Sequence, residues 1–244
     1  MSNTLKKFII PSESKRKDKK WDKLNLKFFK PPFILLAVGA VGSGKSSYCY
    51  SIVKNFQKYF DLLLVITGTR DSNQCWEDLE TKKLNVVVKN QFEEETLTEL
   101  VEDLENTNEE ARKEKRKSTK TLMILDDVVF HHGVVRRNAA NVLDQIIANH
   151  RHLDISMLFC SQSYMACNRN LRICNLTGLI LFRVNKNDLE KIAQEHNNLL
   201  SADDFIEMYE QLQRRDKWTP LVINYRKPLE SRFYWRNESI GVKK

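Results

Sequence analysis

The chain has 244 residues, of which 41% are hydrophobic and 30% are charged, and its formal net charge is +8. This composition suits one large α/β domain and excludes a fibrous or intrinsically disordered chain. The longest apolar stretch, residues 33–41, is far shorter than the roughly 20 residues that a membrane-spanning helix needs. We therefore expect no membrane partner.

The positive charge is concentrated at the amino end of the chain. Residues 1–30 contain ten Lys or Arg but only three Asp or Glu, whereas the remainder is nearly balanced. Such a basic arm suits a polyanion such as nucleic acid, and a tail that only aids solubility has the same composition.

The sequence predicts an intracellular protein. Its first residues have no apolar segment ending in a small-residue cleavage site, so a secretory signal is not expected. The five cysteines include no Cys-x-x-Cys pair. They are therefore interpreted as reduced thiols rather than as disulfides or zinc ligands.

In chain order, short apolar runs alternate with amphipathic segments. The apolar runs predict strands at residues 33–38, 62–67, 85–88, 121–129, 155–160, 179–184, 221–225 and 232–235. The amphipathic segments predict helices at residues 46–60, 93–117, 138–150, 187–196 and 202–214. This alternation predicts an α/β fold in which a mainly parallel sheet carries helices on both faces. The loops that follow the strands should then lie along one edge of the sheet.

We expect three segments along the chain. Residues 1–30 form the basic arm, residues 31–200 the core, and residues 201–244 a helix and short strands that complete or flank the core. Within the core, the second half of 93–117 is almost free of apolar residues. It is interpreted either as a solvated helix end or as a basic loop, residues 112–120, that contacts a polyanion.

Residues 39–46 read GAVGSGKS and match the pattern Gly-x-x-x-x-Gly-Lys-Ser/Thr. The pattern follows a predicted buried strand and opens a predicted helix, which is the setting of a loop that binds nucleoside triphosphates such as ATP. Lys45 should reach the β- and γ-phosphates, and the Ser46 hydroxyl should bind Mg²⁺. The predicted nucleotide-binding residues are Gly39, Ala40, Val41, Gly42, Ser43, Gly44, Lys45, Ser46 and Ser47.

A pair of aspartates ends the apolar run LMILDD, residues 122–127. Asp126 is predicted to hold Mg²⁺, and Asp127 to activate the attacking water as a general base. Many ATPases have glutamate at the second position, so the shorter aspartate has less reach. The other interpretation of the pair is a helix N-cap or a turn at a strand end.

Gln162 and several arginines complete the candidate catalytic residues. Gln162 follows another predicted strand and could bond both the γ-phosphate and the attacking water, or could simply be a polar strand end. An arginine could also stabilise charge on a neighbouring subunit's γ-phosphate. The candidates for this role are Arg136, Arg137, Arg151, Arg169 and Arg172.

The block from residue 144 to 184 carries a family resemblance. Together with GxxxxGKS and the Asp-Asp strand end, its Arg-His, Ser-Gln-Ser and Arg-x-x-Asn motifs resemble the FtsK–HerA superfamily of DNA-pumping ATPases. The likeness covers residues 33–185 and is closest to the poxvirus-type genome-packaging ATPases of large DNA viruses and virophages. These relatives also end the acidic strand with Asp-Asp.

The resemblance implies a RecA-like (ASCE-type) P-loop NTPase core assembled as a pentameric or hexameric ring around double-stranded DNA. It implies that Gln162 is the sensor, and it favours Arg151 as the trans-acting finger with Arg172 second. The expected function is an ATP-driven translocase that packages a viral genome into a preformed capsid. Its further partner would be the capsid or portal vertex. The protein would act in the host cytoplasm or viral factory, where it could associate with the assembling virion.

Other functions are compatible with the same motifs. A helicase or chromosome-partition ATPase would share the enzyme class, although the short chain leaves little room for strand-separating elements. A nucleoside kinase would need a substrate site and a lid, and the sequence has no separate arginine-rich lid segment. Lys45, Asp126 and Asp127 argue against a non-catalytic nucleotide switch.

Overall fold

A computed structural model describes residues 8–9, 29–68, 76, 79, 84–90, 93–127, 142–197, 200–236 and 238–242. Most of the predicted basic arm, residues 128–129 of the predicted strand 121–129 and residues 138–141 of the predicted helix 138–150 lie outside this set. Arg136 and Arg137 lie outside it as well.

Short extended segments and helices alternate along the chain as the apolar pattern requires. The strands are β1 (Phe8–Ile9), β2 (Ile34–Val38), β3 (Leu62–Thr67), β4 (Asn85–Lys89), β5 (Thr121–Asp126), β6 (Ile155–Ser161), β7 (Gly178–Leu181), β8 (Leu221–Asn224), β9 (Phe233–Trp235), β10 (Glu238–Ser239) and β11 (Gly241–Val242). The α-helices are α1 (Lys45–Phe56), α2 (Glu94–Lys113), α3 (Val142–Asn149), α4 (Lys186–His196) and α5 (Ala202–Arg215). Leu171–Asn175 forms a π-helical turn.

In the described part of the chain, one sheet of nine strands has the order β10-β9-β8-β7-β2-β6-β5-β3-β4. The strands from β7 to β4 run parallel. Strands β8, β9 and β10 extend the β7 side with antiparallel pairings. The glycine-rich loop after β2 therefore emerges between β6 and β7, at the carboxyl edge of the parallel strands.

Helices cover both faces of the sheet because the central strands are apolar on both sides. All residues of β2 and β6 are buried. On one face, Ile34, Leu36 and Val38 join a cluster that includes side chains from α2, α3, α4 and α5. On the other face, Leu35 and Ala37 join a cluster with α1. The predicted α/β fold with a mainly parallel sheet is confirmed.

The acidic-to-basic segment after β4 is a helix up to Lys113. Three polar contacts hold its poorly apolar end: Asn108 Nδ2 donates to Leu153 O at 3.2 Å, Thr119 N donates to Asn108 Oδ1 at 2.8 Å, and Arg112 Nη2 donates to His152 O at 2.6 Å. Hydrogen bonds to the turn before β6 and to the residues before β5 therefore replace the missing apolar face.

The sequence predicted the positions of the elements better than their ends. The helix predicted to reach residue 60 ends at Phe56, and a turn then carries Phe60 into the core, where it is 2% exposed. The π-helical turn at Leu171–Asn175 was not predicted. Strands β8 to β10 continue the main sheet and α5 packs on one of its faces, while the segment boundaries at residues 30 and 200 stay predictions.

Thr177 should stabilise the start of the central strand pair. Its buried Oγ1 accepts a hydrogen bond from Ile34 N at 3.0 Å and donates one to Ile34 O at 2.9 Å. We expect Thr177→Val to lower the free energy of unfolding by about 1 to 3 kcal/mol, because it leaves a buried N–H unpaired. Urea denaturation measures this. Thr98→Val, at the surface of α2, is the control and should change stability by under about 0.5 kcal/mol; equal effects of the two would contradict the prediction.

Candidate active site

The loop at residues 39–46 is held from both sides by the neighbouring strands. Gly39 N donates to Ser161 O at 3.1 Å, and Ala40 N donates to Arg183 O at 2.7 Å. Helix α1 begins at Lys45, so its free N–H groups point into the loop. A loop fixed this way at a helix N-terminus is suited to phosphate.

Two positions of the loop require glycine, each for a different physical reason. A Cβ atom on Gly39 would lie 2.5 Å from Phe182 Cβ and 2.8 Å from Ser43 Oγ, so a side chain does not fit. Gly44 has φ of 91° and caps α1 in a left-handed conformation that other residues rarely adopt.

The side chains of the loop divide between the interior and the solvent. Lys45 is buried, and its Nζ donates to Gly39 O at 2.8 Å. Val41, Ser46 and Ser47 are exposed at the edge. The loop thus keeps its cation close to the backbone and presents the hydroxyl predicted to bind the metal to solvent.

Asp126 lies at the end of β5, next to the loop, and is only 4% exposed. Burial and, to a smaller extent, the negative charge of Asp127 raise the pKa of its carboxyl to about 6, although the positive charge of Lys45 opposes this rise. The site thus holds a desolvated carboxylate whose charge an additional cation would stabilise.

Asp127 and Gln162 contact each other at the ends of neighbouring strands. Gln162 Nε2 donates to Asp127 Oδ2 at 2.9 Å. Asp127 has φ of 53°, a left-handed conformation unusual for a residue with a side chain. Its Oδ1 is buried and has no hydrogen-bond partner among the described residues. The structure therefore brings together the two residues that the sequence assigned to the attacking water.

The oxygen donors near the loop suit Mg²⁺ better than they suit a metal ion that is bound entirely by protein side chains. In the described ranges, no group of three or more His, Cys, Asp or Glu side chains could hold a metal ion. Mg²⁺ sites usually use one or two carboxylates with phosphate oxygens and water. Asp126 and the exposed Ser46 hydroxyl supply oxygen donors of this kind, and the raised pKa of Asp126 marks a carboxylate that lacks a full counter-charge.

The segment around Gln162 has anchors that the sequence did not reveal. Asp188 on α4 accepts hydrogen bonds from Ser163 Oγ at 3.2 Å and from Met165 N at 3.0 Å. Tyr164 Oη donates to Glu195 near the end of the same helix. The motif Asn-x-x-Asp at residues 185–188 signals a helix start, but nothing in it signals a contact more than twenty residues away.

The candidate arginines occupy different surroundings. Arg172 is buried, its Nη1 lies 3.1 Å from Glu195 Oε2, and its guanidinium lies over the Tyr164 ring. It is thus paired within its own chain. Arg151 is exposed in the turn before β6, and Arg169 is exposed before the π-helical turn.

Arg151 lies at the amino edge of the sheet, whereas Lys45, Asp126 and Gln162 lie at the carboxyl edge. The seven residues of β6 separate the two edges by roughly 23 Å at about 3.3 Å per residue. Arg151 therefore does not reach the site of its own chain. Burial and, to a smaller extent, the charge of Arg151 lower the pKa of Arg226, whose guanidinium donates to the carbonyls of Lys30 and Pro32.

A phosphate-binding loop after β2, an acidic pair at the end of β5 and a glutamine at the end of β6, which lies between those two strands, define the class of P-loop nucleoside triphosphatases. The sequence profile of the family described as Poxvirus A32 protein matches residues 18–225. The chain belongs to this family, and the predicted poxvirus-type relationship is confirmed. No curated protein sequence matches the chain.

Solved structures with the same fold have low sequence identity. B204, the DNA-packaging ATPase from Sulfolobus turreted icosahedral virus, is 14% identical, with a TM-score of 0.58 over 81% of this chain and 95% of that one. B204 from Sulfolobus turreted icosahedral virus 2 in complex with AMPPCP is 16% identical, with a TM-score of 0.53 over 81% and 95%. EssC (ATPases 2 and 3) from Geobacillus thermodenitrificans is 12% identical, with a TM-score of 0.54 over 87% and 39%.

From the raised pKa of Asp126 we predict how the stability of the protein, free of nucleotide and metal, depends on pH. In the folded protein this carboxyl has a pKa of about 6, above its value in the unfolded chain, so its protonated form favours folding. That stabilisation is present at low pH and is lost as the pH rises through 6. Asp126→Asn should therefore be more stable than the original protein at pH 8 by about 1 to 3 kcal/mol.

Thermal melts at pH 5 and pH 8 in EDTA check this prediction. The advantage of Asp126→Asn should shrink at pH 5, where the original carboxyl is itself protonated. An advantage that is absent at pH 8, or that grows toward pH 5, would contradict the assignment. Asp61→Asn, at the opposite edge of the sheet, is the control and should show no advantage at pH 8.

Proposed function

We propose that this protein is an ATP-driven translocase of double-stranded DNA that packages a viral genome into a preformed capsid. The observation that carries the proposal is the contact between Gln162 and Asp127, beside Lys45 and Asp126, in a chain of the Poxvirus A32 family. The similar B204 proteins are described as DNA-packaging or genome-packaging enzymes.

In this proposal, each group of the site has one role in ATP hydrolysis. The loop N–H groups and Lys45 bind the β- and γ-phosphates, and Ser46 and Asp126 hold Mg²⁺, which would offset phosphate charge. Asp127 accepts the proton of the attacking water, and Gln162 orients that water and responds to loss of the γ-phosphate. The buried, crowded carboxylates then gain the counter-charge that the protein alone does not supply.

The division between the two sheet edges supports assembly into a pentameric or hexameric ring. Arg151 is about a strand length from its own loop and has no ion-pair partner in the described part of the chain. A ring that seats the amino edge of one subunit against the carboxyl edge of the next would bring Arg151 to the neighbour's γ-phosphate. Arg172 is the weaker candidate, since Glu195 already neutralises it.

DNA is proposed to contact basic side chains without reading its sequence. Residues 1–30 carry most of the excess positive charge, and residues 112–120 add further lysines and arginines at the amino edge. Contacts of this kind go to phosphates, so affinity should fall steeply with salt and depend little on base sequence. The capsid or portal vertex is the proposed second partner.

We also propose that the protein acts in the host cytoplasm or viral factory. Its described cysteines, Cys49, Cys160, Cys167 and Cys174, are free, as is usual in a reducing compartment. None of the described helices has the length and hydropathy needed to cross a membrane.

Asp127→Asn should separate nucleotide binding from hydrolysis. We expect long double-stranded DNA to stimulate ATP turnover by the original protein. The variant should lose about 100-fold or more of kcat and still bind ATP, because the substitution removes the base but keeps its shape. Phosphate release with and without DNA measures this, and Asp61→Asn should behave as the original protein.

The same assay distinguishes the other functions. Phosphoryl transfer to a nucleoside, with no response to DNA, would overturn the translocase proposal in favour of a kinase. Unwinding of short duplexes without displacement of a blocking protein from intact double-stranded DNA would favour a helicase.

Mixing experiments test the role of Arg151. If Arg151 acts on a neighbour, Arg151→Ala subunits mixed with the original protein should lower activity more than in proportion to their share. A mixture of Arg151→Ala subunits with Asp127→Asn subunits should regain activity. Where the two kinds of subunit meet, the intact Asp127 of one and the intact Arg151 of the other can form a complete site. Arg214→Ala, which removes a surface arginine of α5 paired with Glu210, is the control and should leave activity unchanged. Simple dilution in the first mixture and no recovery in the second would exclude a trans role.

A further inference from the structure

The segment that carries Gln162 leaves the sheet and has to be held by side chains. Strand β6 ends at Ser161, and Gln162 directly follows it. Ser161 Oγ donates to Ser163 O at 2.7 Å, which gives the segment a local turn. That contact alone does not relate the segment to the rest of the molecule, so the position of Gln162 depends on what Ser163 and the residues after it contact.

Asp188 provides this external contact. Its side chain is on the first turn of α4 and is only 2% exposed. Oδ1 accepts hydrogen bonds from Ser163 Oγ at 3.2 Å and Met165 N at 3.0 Å, and Oδ2 accepts one from Asn185 Nδ2 at 2.9 Å. A buried carboxylate is costly unless hydrogen bonds of this kind satisfy it.

Capping of the helix does not account for this carboxylate. Asn185 already caps α4, because its Oδ1 accepts a hydrogen bond from Asp188 N at 2.8 Å. No Lys or Arg in the described part of the chain forms an ion pair with Asp188. Oδ1 of Asp188 is instead directed at the two residues that flank Tyr164 on the segment after Gln162.

A second carboxylate of the same helix fixes the residue in between. Tyr164 Oη donates to Glu195 and lies 2.7 Å from His196 Nε2. Burial lowers the pKa of His196 to about 4, so the ring is neutral near pH 7 and its Nε2–H can donate to Tyr164. Residues 163, 164 and 165 are thus each bound to α4, and Asp188 makes the contact nearest to Gln162.

We propose that Asp188 is a positioning residue for ATP hydrolysis: by binding Ser163 and Met165 it fixes Gln162 against Asp127. This inference rests on the proposed ATPase function. Gln162 adjoins Ser163, so a shift of that residue changes the 2.9 Å contact between Gln162 and Asp127. Displacement of an orienting group by about 1 Å is enough to slow a reaction strongly while leaving substrate binding intact.

The test separates turnover from ATP binding. Asp188→Ala should lower kcat about 10-fold and leave KM for ATP within about 2-fold, because the side-chain hydrogen bonds of Asp188 go to Ser163, Met165 and Asn185 rather than to the loop at residues 39–46. Ser163→Ala removes one of the two hydrogen bonds and should lower kcat about 3-fold. Steady-state phosphate release over a range of ATP concentrations measures both constants.

Two further variants distinguish positioning from a loss of stability. In the exchange variant Asn185→Asp with Asp188→Asn, the side chain at 188 donates to the side chain at 185, which reverses the direction of that hydrogen bond. The amide oxygen at 188 can still accept from Ser163 and Met165. We therefore expect kcat to recover to within about 2-fold of the original. Ser201→Ala removes the side-chain cap of α5, where Ser201 Oγ accepts from Asp204 N at 3.1 Å. It should lower the melting temperature and leave kcat unchanged.

The possible outcomes lead to different conclusions. If the original protein hydrolyses no ATP, the proposed function fails. If it hydrolyses ATP, but Asp188→Ala and Ser163→Ala keep full kcat, the positioning role is excluded and the function stands. If Asp188→Ala does not fold, Ser163→Ala and the exchange variant decide: a lowered kcat in the first and recovery in the second support the proposal. An exchange variant that folds but stays slow overturns it.

Discussion

The position of β2 between two parallel neighbours is the constraint on which the site depends. The strand ends where Gly39 N bonds to Ser161 of β6 and Ala40 N bonds to Arg183, which follows β7. Those two hydrogen bonds fix the origin of the loop and the start of α1. Because parallel strands end at the same edge of a sheet, the ends of β5 and β6 also lie beside the loop. A shift of β2 relative to β6 and β5 would therefore displace the loop from the acidic pair.

The charges gathered at this edge oppose the stability of the isolated protein. Asp126 is buried next to Asp127, and the pKa of its carboxyl rises to about 6 for that reason. Asp127 adopts a left-handed backbone conformation and keeps one carboxylate oxygen without a hydrogen bond among the described residues. Such strain and unmet hydrogen-bonding capacity are common where a site is organised for a ligand rather than for folding. A phosphate chain with its cation would satisfy these groups.

The two edges of the sheet differ in character, which gives the molecule a direction. The carboxyl edge holds the loop and the acidic groups. At the amino edge lie Arg151 and the end of α2, held to the turn before β6 by Asn108 and Arg112. One contiguous sheet connects the two edges. A contact made at one edge can therefore change the structure at the other only through the strands or through helices such as α4. Hydrogen bonds with Asp188 in the first turn of α4 and with Glu195 in its last turn hold the segment after Gln162 to this helix.

The sequence by itself determined the class of fold and predicted most residues of the candidate site, because both depend on local patterns. The glycines of GAVGSGKS, the apolar run before them and the Asp-Asp strand end each encode their setting within a few residues, so Lys45, Asp126 and Asp127 could be assigned without coordinates. Helix ends were less predictable, since the end of α2 depends on Asn108 and Arg112 bonding to a turn about 40 residues away.

Only the tertiary structure decided the surroundings of the arginines. Arg172 and Arg151 look alike in sequence, yet Arg172 is buried against Glu195 and Arg151 is exposed at the amino edge of the sheet. The same holds for Asp188, whose neighbours in sequence indicate a helix start and whose partners at residues 163 and 165 are brought to it by the packing of α4 beside the end of β6.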